Sequence, residues 1–309
     1  MWKKKGLIFN VENYINKHIK SHGSIPFAYH VKDNLFRIYF SSRNDKGKSL
    51  PYYIDAIISD RNINIIGNVI GPLMGLGKLG SFDDSGIMPS CLVKNNDQLY
   101  MYYIGWNPQV TVSYRLSIGL AVSNDNGITF NRYSEGPICD RSLSEPFFNT
   151  APYVLLDEGK WRMWYISCTS WKIINNYPEP AYHIKYAESL DGINWKRDGI
   201  ICLDYDDKAE ALGRPCVFKE NNNYKMYFSY RKINQYRELT ENGYKIGLAQ
   251  SEDGIHWTKE YNNTKIELSK NGWDSKMMEY CHVFNHKGIE YMLYNGNDFG
   301  KEGFGYAVK

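Results

Sequence analysis

The chain has 309 residues, 43% of them hydrophobic and 23% charged, with a formal net charge of +3. So small an excess, carried on dispersed Lys and Arg, argues against nucleic acid or a membrane surface as a partner. No run nears the about 18 apolar residues of a membrane helix, whereas 26 Tyr, 13 Phe and 8 Trp favour pleated, half-buried surfaces.

The first segment, "WKKKGLIF" (2–9), is basic, but its apolar part is too short for a signal peptide. It resembles an internal segment, "WKRDGIIC" (195–202): Trp, a charged triplet, Gly and three apolar residues. Downstream, Tyr-rich alternating runs recur as "LFRIYFSSR" (35–43), "LYMYYIGWN" (99–107), "WRMWYISCTS" (161–170), "YKMYFSYRK" (224–232) and "EYMLYNGND" (290–298). A short apolar segment precedes each run. Four of these segments begin at Pro26, Pro89, Pro152 and Pro215, spaced by 63 residues, a position where proline removes no ladder donor. The fifth, "EYCHVF" (279–284), puts Tyr280 in the proline slot.

Behind the Tyr-rich runs come "IGLAVSNDNGITF" (118–130), "IKYAESLDGINW" (184–195) and "IGLAQSEDGIHW" (246–257), each with a Gly-bearing hairpin turn. Each unit reads as four short antiparallel strands, and such repeats mark a β-propeller. The expected fold is all-β, a single five-bladed propeller over residues 1–309. The last unit ends one strand short, so the Trp2–Phe9 segment is expected to close it and protect an open sheet edge.

In such a blade the residues before strand one and after strand two meet on one face. That face collects His22, Asp83, Asp84, Glu210, Arg214 and Glu279 from the entering side. Arg43, Trp106, Asn107, Trp171, Arg231 and Asn297 come from the exiting side. Carboxylates and amides bind hydroxyls directionally and an indole covers a sugar's apolar face, so a carbohydrate or sugar-conjugate ligand is expected there. Each Arg has an alternative role as a pin between two blades, and one of Asp83 and Asp84 can cap the turn before Ser85-Gly86.

Other signals carry less. "SNDNGITF" (123–130) resembles the Asp-box of sialidases, but it lies in a hairpin on the far face and reads as turn structure. His18 with His22, and His282 with His286, have i,i+4 spacing but no third ligand, so no metal and no cofactor is expected. Six cysteines without a CxxC pair predict reduced thiols in a cytoplasmic protein, with Cys91, Cys216 and Cys281 as small buried apolar residues.

Across nearly its whole length the chain resembles the five-bladed propeller glycoside hydrolases of the arabinanase, invertase and levansucrase type, including families 43, 32, 68 and 130. The five-unit pattern carries this, with "GRP" (213–215) and "EYC" (279–281), which look like altered Arg-Asp-Pro and Glu-Cys motifs. "FDDSGIMPS" (82–90), "YYIGWN" (102–107) and "YNGND" (294–298) also look like proteins known only as glycosyl-hydrolase-like. The resemblance implies an acid directly before the first proline, yet Ile25, Met88, Ala151 and Arg214 fill that slot, with Glu279 in the fifth unit.

The leading expectation is a glycosidase or glycosyl-transferring enzyme with two carboxyl groups at the channel mouth. Asp84 is the expected ionised group and Glu279 the acid, its pKa raised by burial and a neighbouring carboxylate, with Glu210 as the alternative acid. Arg43, Arg214 and Arg231 hold substrate oxygens or a sugar carboxylate, Trp106 and Trp171 stack, and Asp83, His22, Asn107 and Asn297 complete the set. Alternatives are a phosphorylase, an enzyme of activated sugars, and a non-catalytic carbohydrate-binding or assembly propeller. Two loops, 170–183 and 233–245, extend over the same face.

Overall fold

A computed structural model describes all residues, Met1–Lys309. Its regular secondary structure is almost entirely strand, in five antiparallel sets of four. The first set is β2 (Ser21–Lys32), β3 (Leu35–Arg43), β4 (Ser49–Ser59) and β5 (Asn62–Ile70). The second is β6 (Gly86–Asn95), β7 (Gln98–Pro108), β8 (Tyr114–Ser123) and the two-residue β9 (Asn131–Arg132). The third is β10 (Asn149–Asp157), β11 (Lys160–Ile174), β12 (Tyr177–Ser189) and β13 (Ile201–Leu203). The fourth is β14 (Ala211–Glu220), β15 (Asn223–Arg231), β16 (Lys245–Ser251) and β17 (Thr258–Lys259). The fifth is β18 (Glu279–His286), β19 (Ile289–Asn295), β20 (Gly303–Val308) and, from the other terminus, β1 (Lys3–Asn10). A single parallel bridge joins the first set to the second at Ser49 and Gly86, and the third to the fourth at Tyr182 and Ala211.

The first strand of each set touches the next: β2 with β6, β6 with β10, β10 with β14, β14 with β18, and β18 with β2. The core follows the same order, in separate clusters between neighbouring sets. Phe9, Phe40 and Phe304 lie between the fifth and first sets, and Phe27, Tyr39 and Tyr103 between the first and second. Tyr102, Trp161 and Tyr165 lie between the second and third, Trp164, Tyr186 and Met226 between the third and fourth, and Tyr227, Val283 and Met292 between the fourth and fifth. The abundant aromatics are therefore the filling between sheets.

The hairpin turns latch neighbouring sets together. In each, a Ser and an Asp two residues on organise the turn: Ser189 Oγ accepts the amide of Gly192, and Asp191 accepts those of Ile193 and Asn194. Ser123 with Asp125 and Ser251 with Asp253 repeat it. The turn glycine's carbonyl then accepts from an aromatic of the preceding set: Tyr39 to Gly127 (2.8 Å), Tyr102 to Gly192 (2.7 Å) and the Trp164 indole to Gly254 (2.8 Å). The Asp-box-like segment at 123–130 is one of these turns.

The similarity of the first segment to residues 195–202 persists in three dimensions. β1 pairs with β20 along its length, Leu7 opposite Gly305, with two register slips. Residues 195–203 run along β12 with a comparable interruption, from the Lys196–Glu188 bridge to Ile201 opposite Lys185. Both contain a glycine at positive φ, Gly6 (95°) and Gly199 (78°). Trp2 and Trp195 each meet a Tyr of the preceding set edge-on, Tyr227 and Tyr102, both at 6.1 Å. All six cysteines are free and buried. No helix is long and apolar enough to cross a membrane.

Candidate functional site

The five inner strands reach one cavity through a shared irregularity. In four of them the pairing slips by one residue, and a non-glycine residue there takes positive φ: Ile25 (56°), Ala151 (45°), Arg214 (47°) and Tyr280 (54°). Such a conformation costs about 1–3 kcal/mol and persists only where the surroundings enforce it. All four residues line the cavity. The register also corrects the sequence alignment. Glu279 opposes Asn295 as Gly213 opposes Ser229 and Thr150 opposes Ile166. Tyr280 therefore occupies the slot before the proline and Cys281 the proline slot itself.

The cavity holds about 270 Å³ and its wall carries four arginines: Arg43, Arg214, Arg231 and Arg237. Arg214 is 1% exposed and donates to main-chain carbonyls of three sets: Pro26 (3.4 Å), Ser90 (3.3 Å), Tyr280 (3.3 Å) and Cys281. It pins inner strands together through carbonyl dipoles, with no carboxylate partner. Arg231 is likewise buried, donates to the carbonyls of Lys232 (3.0 Å) and Pro180 (3.1 Å), and lies 3.8 Å over the ring of Tyr236. Arg237 donates to Glu179 at 2.9 Å. Arg43 sits in the wall with neither an ion pair nor a side-chain hydrogen bond; burial lowers its pKa, and Tyr280 alone opposes the shift.

Aromatic rings supply most of the remaining wall. Tyr182 and Tyr244 meet hydroxyl to hydroxyl, and Tyr236 and Tyr280 pack against Tyr244. Burial pushes the phenols of Tyr114, Tyr236, Tyr244 and Tyr280 up, so they remain neutral donors. No Asp or Glu lines the wall.

Glu279 lies directly behind it, one residue before Tyr280, fully buried with neither oxygen hydrogen-bonded. The Phe299 amide approaches it without the alignment of a full bond. Burial raises its pKa well above 4.5, the charges of Arg231 and Arg237 oppose this, and Asp298 adds to it. Burial thus favours the protonated carboxyl group, against the pull of two wall arginines.

The other expected residues are placed as follows. Trp106 joins Arg43, Arg214 and Arg231 in the wall. Trp171 stands behind it, edge-on to Tyr114 and Phe148, which do line it. Asp83 is fully buried and accepts from Tyr103 (3.0 Å), Arg132 (2.8 Å) and Ser81 (3.1 Å), which occupies its oxygens away from the cavity. Asp84 is half-buried and caps the turn, accepting from the Gly80 amide and Ser85 Oγ, both at 2.9 Å. Glu210 accepts from the Ile233 amide at 3.0 Å and faces Lys172 at 3.6 Å. Asn107 donates to the Ser81 carbonyl, and Asn297 ties Lys276, Met277 and Gly272 into one loop. His22 pairs with Ser21 Oγ at 2.7 Å; burial, then Arg43 and Lys301, lowers its pKa to about 3, so the ring is neutral. None of these six lines the cavity. His282 accepts the Ala28 amide on Nδ1, and no group of three or more His, Cys, Asp or Glu is arranged for a metal.

Sequence reasoning missed Arg237, Tyr236 and Tyr244 as individual residues, although all three fall in the extended loop 233–245. Tyr280 was hidden by the one-residue alignment error. For Tyr114, Phe148 and Phe299 no sequence signal distinguished wall from core.

No protein-family model matches the chain. Two Mycobacterium tuberculosis proteins, "Uncharacterized protein MT1551" and "Uncharacterized protein Rv1502", are each 34% identical to it over 310 aligned residues, 99% of this chain and 98% of the relative. Among solved structures, a glycoside hydrolase superposes with TM-score 0.75 at 17% identity, covering 99% of this chain and 90% of that one. A thermostable family-43 glycoside hydrolase gives TM-score 0.65 at 17% identity, over 96% and 91%. A Bombyx mori family-32 β-fructofuranosidase gives 0.62 at 15% identity, over 96% and 62%.

Proposed function

From the premise that the chain belongs to the family of the two mycobacterial proteins, and has the propeller fold of family 43 and 32 glycoside hydrolases, we propose that it acts on a glycan or sugar conjugate bound in the arginine-lined cavity. In this reading residues 1–309 form one domain, and the five four-stranded sets are five blades around the cavity axis. Glu279 is the proton donor to the leaving oxygen. The single observation that carries this is a fully buried carboxyl group with neither oxygen hydrogen-bonded, immediately behind a wall of arginines and aromatic side chains, where burial raises its pKa. Trp106 and the tyrosines supply apolar faces and hydroxyl donors for the ring, and the arginines fix its oxygens. Asp84, on the loop leading into β6, is the second carboxyl group of this reading.

Turnover of a panel of aryl glycosides and oligosaccharides tests it. Glu279→Gln removes the donor and lowers kcat by at least about a hundredfold; unchanged turnover refutes the role. Asp84→Asn tests the pair in the same assay. A second reading, binding without hydrolysis, draws on the absence of any carboxylate from the wall, since hydrolysis needs two flanking carboxyl groups. Oligosaccharide binding without product on long incubation favours it.

A further inference from the structure

The cavity's charge is unbalanced in a way that a neutral sugar does not answer. Four guanidinium groups enter its wall, and only Arg237 has a carboxylate partner, Glu179. Arg214 and Arg231 are compensated by carbonyl dipoles and ring faces alone, and Arg43 by nothing in the chain. Four guanidinium groups with a single carboxylate ion pair among them is a concentration of charge unlike the near-neutral chain as a whole. Taking guanidinium groups out of water without counter-ions costs several kcal/mol each, and the fold bears this in one place.

Donors are also left over there. The Nε atoms of Arg214 and Arg231 are buried without a partner, as is the hydroxyl of Thr150 in the same wall. Planar forked donors fit carboxylate or phosphate oxygens better than hydroxyls. We propose that this cavity binds an oxyanion, a carboxylate or phosphate group carried by its sugar ligand, with Arg43 as the exposed arm of the site. The inference rests on the glycan reading above and specifies its substrate class as acidic.

Calorimetric titration of the full chain with matched probes tests it: glucose against glucuronate, galactose against galacturonate, mannose against mannose 1-phosphate, and inorganic phosphate alone. In at least one pair the acidic member binds about tenfold or more tightly than the neutral one. Salt narrows the gap, Arg43→Met closes it, and Arg43→Lys restores part of it, with melting temperature confirming that both variants fold. Equal affinity within every pair while neutral sugars bind, or a gap untouched by Arg43→Met, overturns the inference and leaves the glycan reading standing. Phosphate binding with no sugar bound keeps the anion site but moves the charge to a free ion and sinks the glycan reading. No binding by any probe overturns both.

Discussion

Phe9 is where the N-terminal strand packs the fifth set against the first, and replacing it with Ala measures what that strand contributes. The ring is fully buried and contacts Phe40 at 4.6 Å, Tyr14 at 4.8 Å and Phe304 at 4.9 Å between centroids. Truncating a buried Phe removes its transfer free energy and leaves a cavity that relaxes only partly, about 3–5 kcal/mol in total. That is a large share of the roughly 5–15 kcal/mol separating folded from unfolded chains. Gly23 supplies an internal control. A Cβ built there would meet Phe9 at 2.9 Å and Phe304 at 3.1 Å, so Gly23→Ala alone overpacks the site by about 1–3 kcal/mol. In the Phe9→Ala background the added methyl enters vacated space, and the double variant is more stable than the sum of the singles by about 1 kcal/mol. Urea unfolding followed by tryptophan fluorescence reads all four proteins. A Phe9→Ala loss below about 1 kcal/mol, or strict additivity with Gly23→Ala, refutes the reasoning.

Tyr102→Phe strips one turn latch, leaves the Gly192 carbonyl without its donor and lowers urea stability by about 1–2 kcal/mol, without affecting sugar binding. For the turn aspartates, slight burial opposes ionisation, but hydrogen bonds from Ser189, Ile193 and Asn194 hold the Asp191 pKa well below its ordinary 3.8. A depressed carboxylate gives stability that is present above the unfolded value and lost as pH falls through the folded one, so Asp191→Asn flattens the decline of melting temperature below about pH 4. Glu279 works in the opposite direction, because burial raises its folded pKa above 4.5. The stability it favours is complete below pH 4.5 and erodes as pH rises towards the folded value. Glu279→Gln, which mimics the protonated acid, therefore gains on the wild type in melting temperature between pH 4.5 and 7; a constant difference across that range refutes the buried neutral acid.

The strand order was readable because its signals are local: alternation within each Tyr-rich run, proline at inner-strand starts, and Ser-x-Asp turns closed by glycine. The site was only partly readable, because its chemistry depends on which residues of different sets come together. Arg214 and Arg231 look equally suited to substrate in the sequence. In the fold, carbonyls 67 residues downstream of one (Cys281) and 51 residues upstream of the other (Pro180) claim most of their donors. Adjacent acids diverge for the same reason, Asp83 being drawn inward by Tyr103 and Arg132 while Asp84 caps its turn. Tyr280 was misaligned because its unit lacks the proline that marks the others, and only strand pairing reveals the slip.

The pairing of β1 with β20 joins strands far apart in sequence, Lys3 opposite Val308, so the earlier strand waits for the later one. The entropic cost of so long a closure is modest, about 0.6 kcal/mol for each doubling of the loop, but the search is slow. Until it ends, the C-terminal sheet offers an open edge to any matching strand, including β1 of a second copy, so refolding at high concentration favours exchanged dimers. The three lysines at positions 3–5 make that waiting strand a poor seed for aggregation while leaving it competent for its own edge.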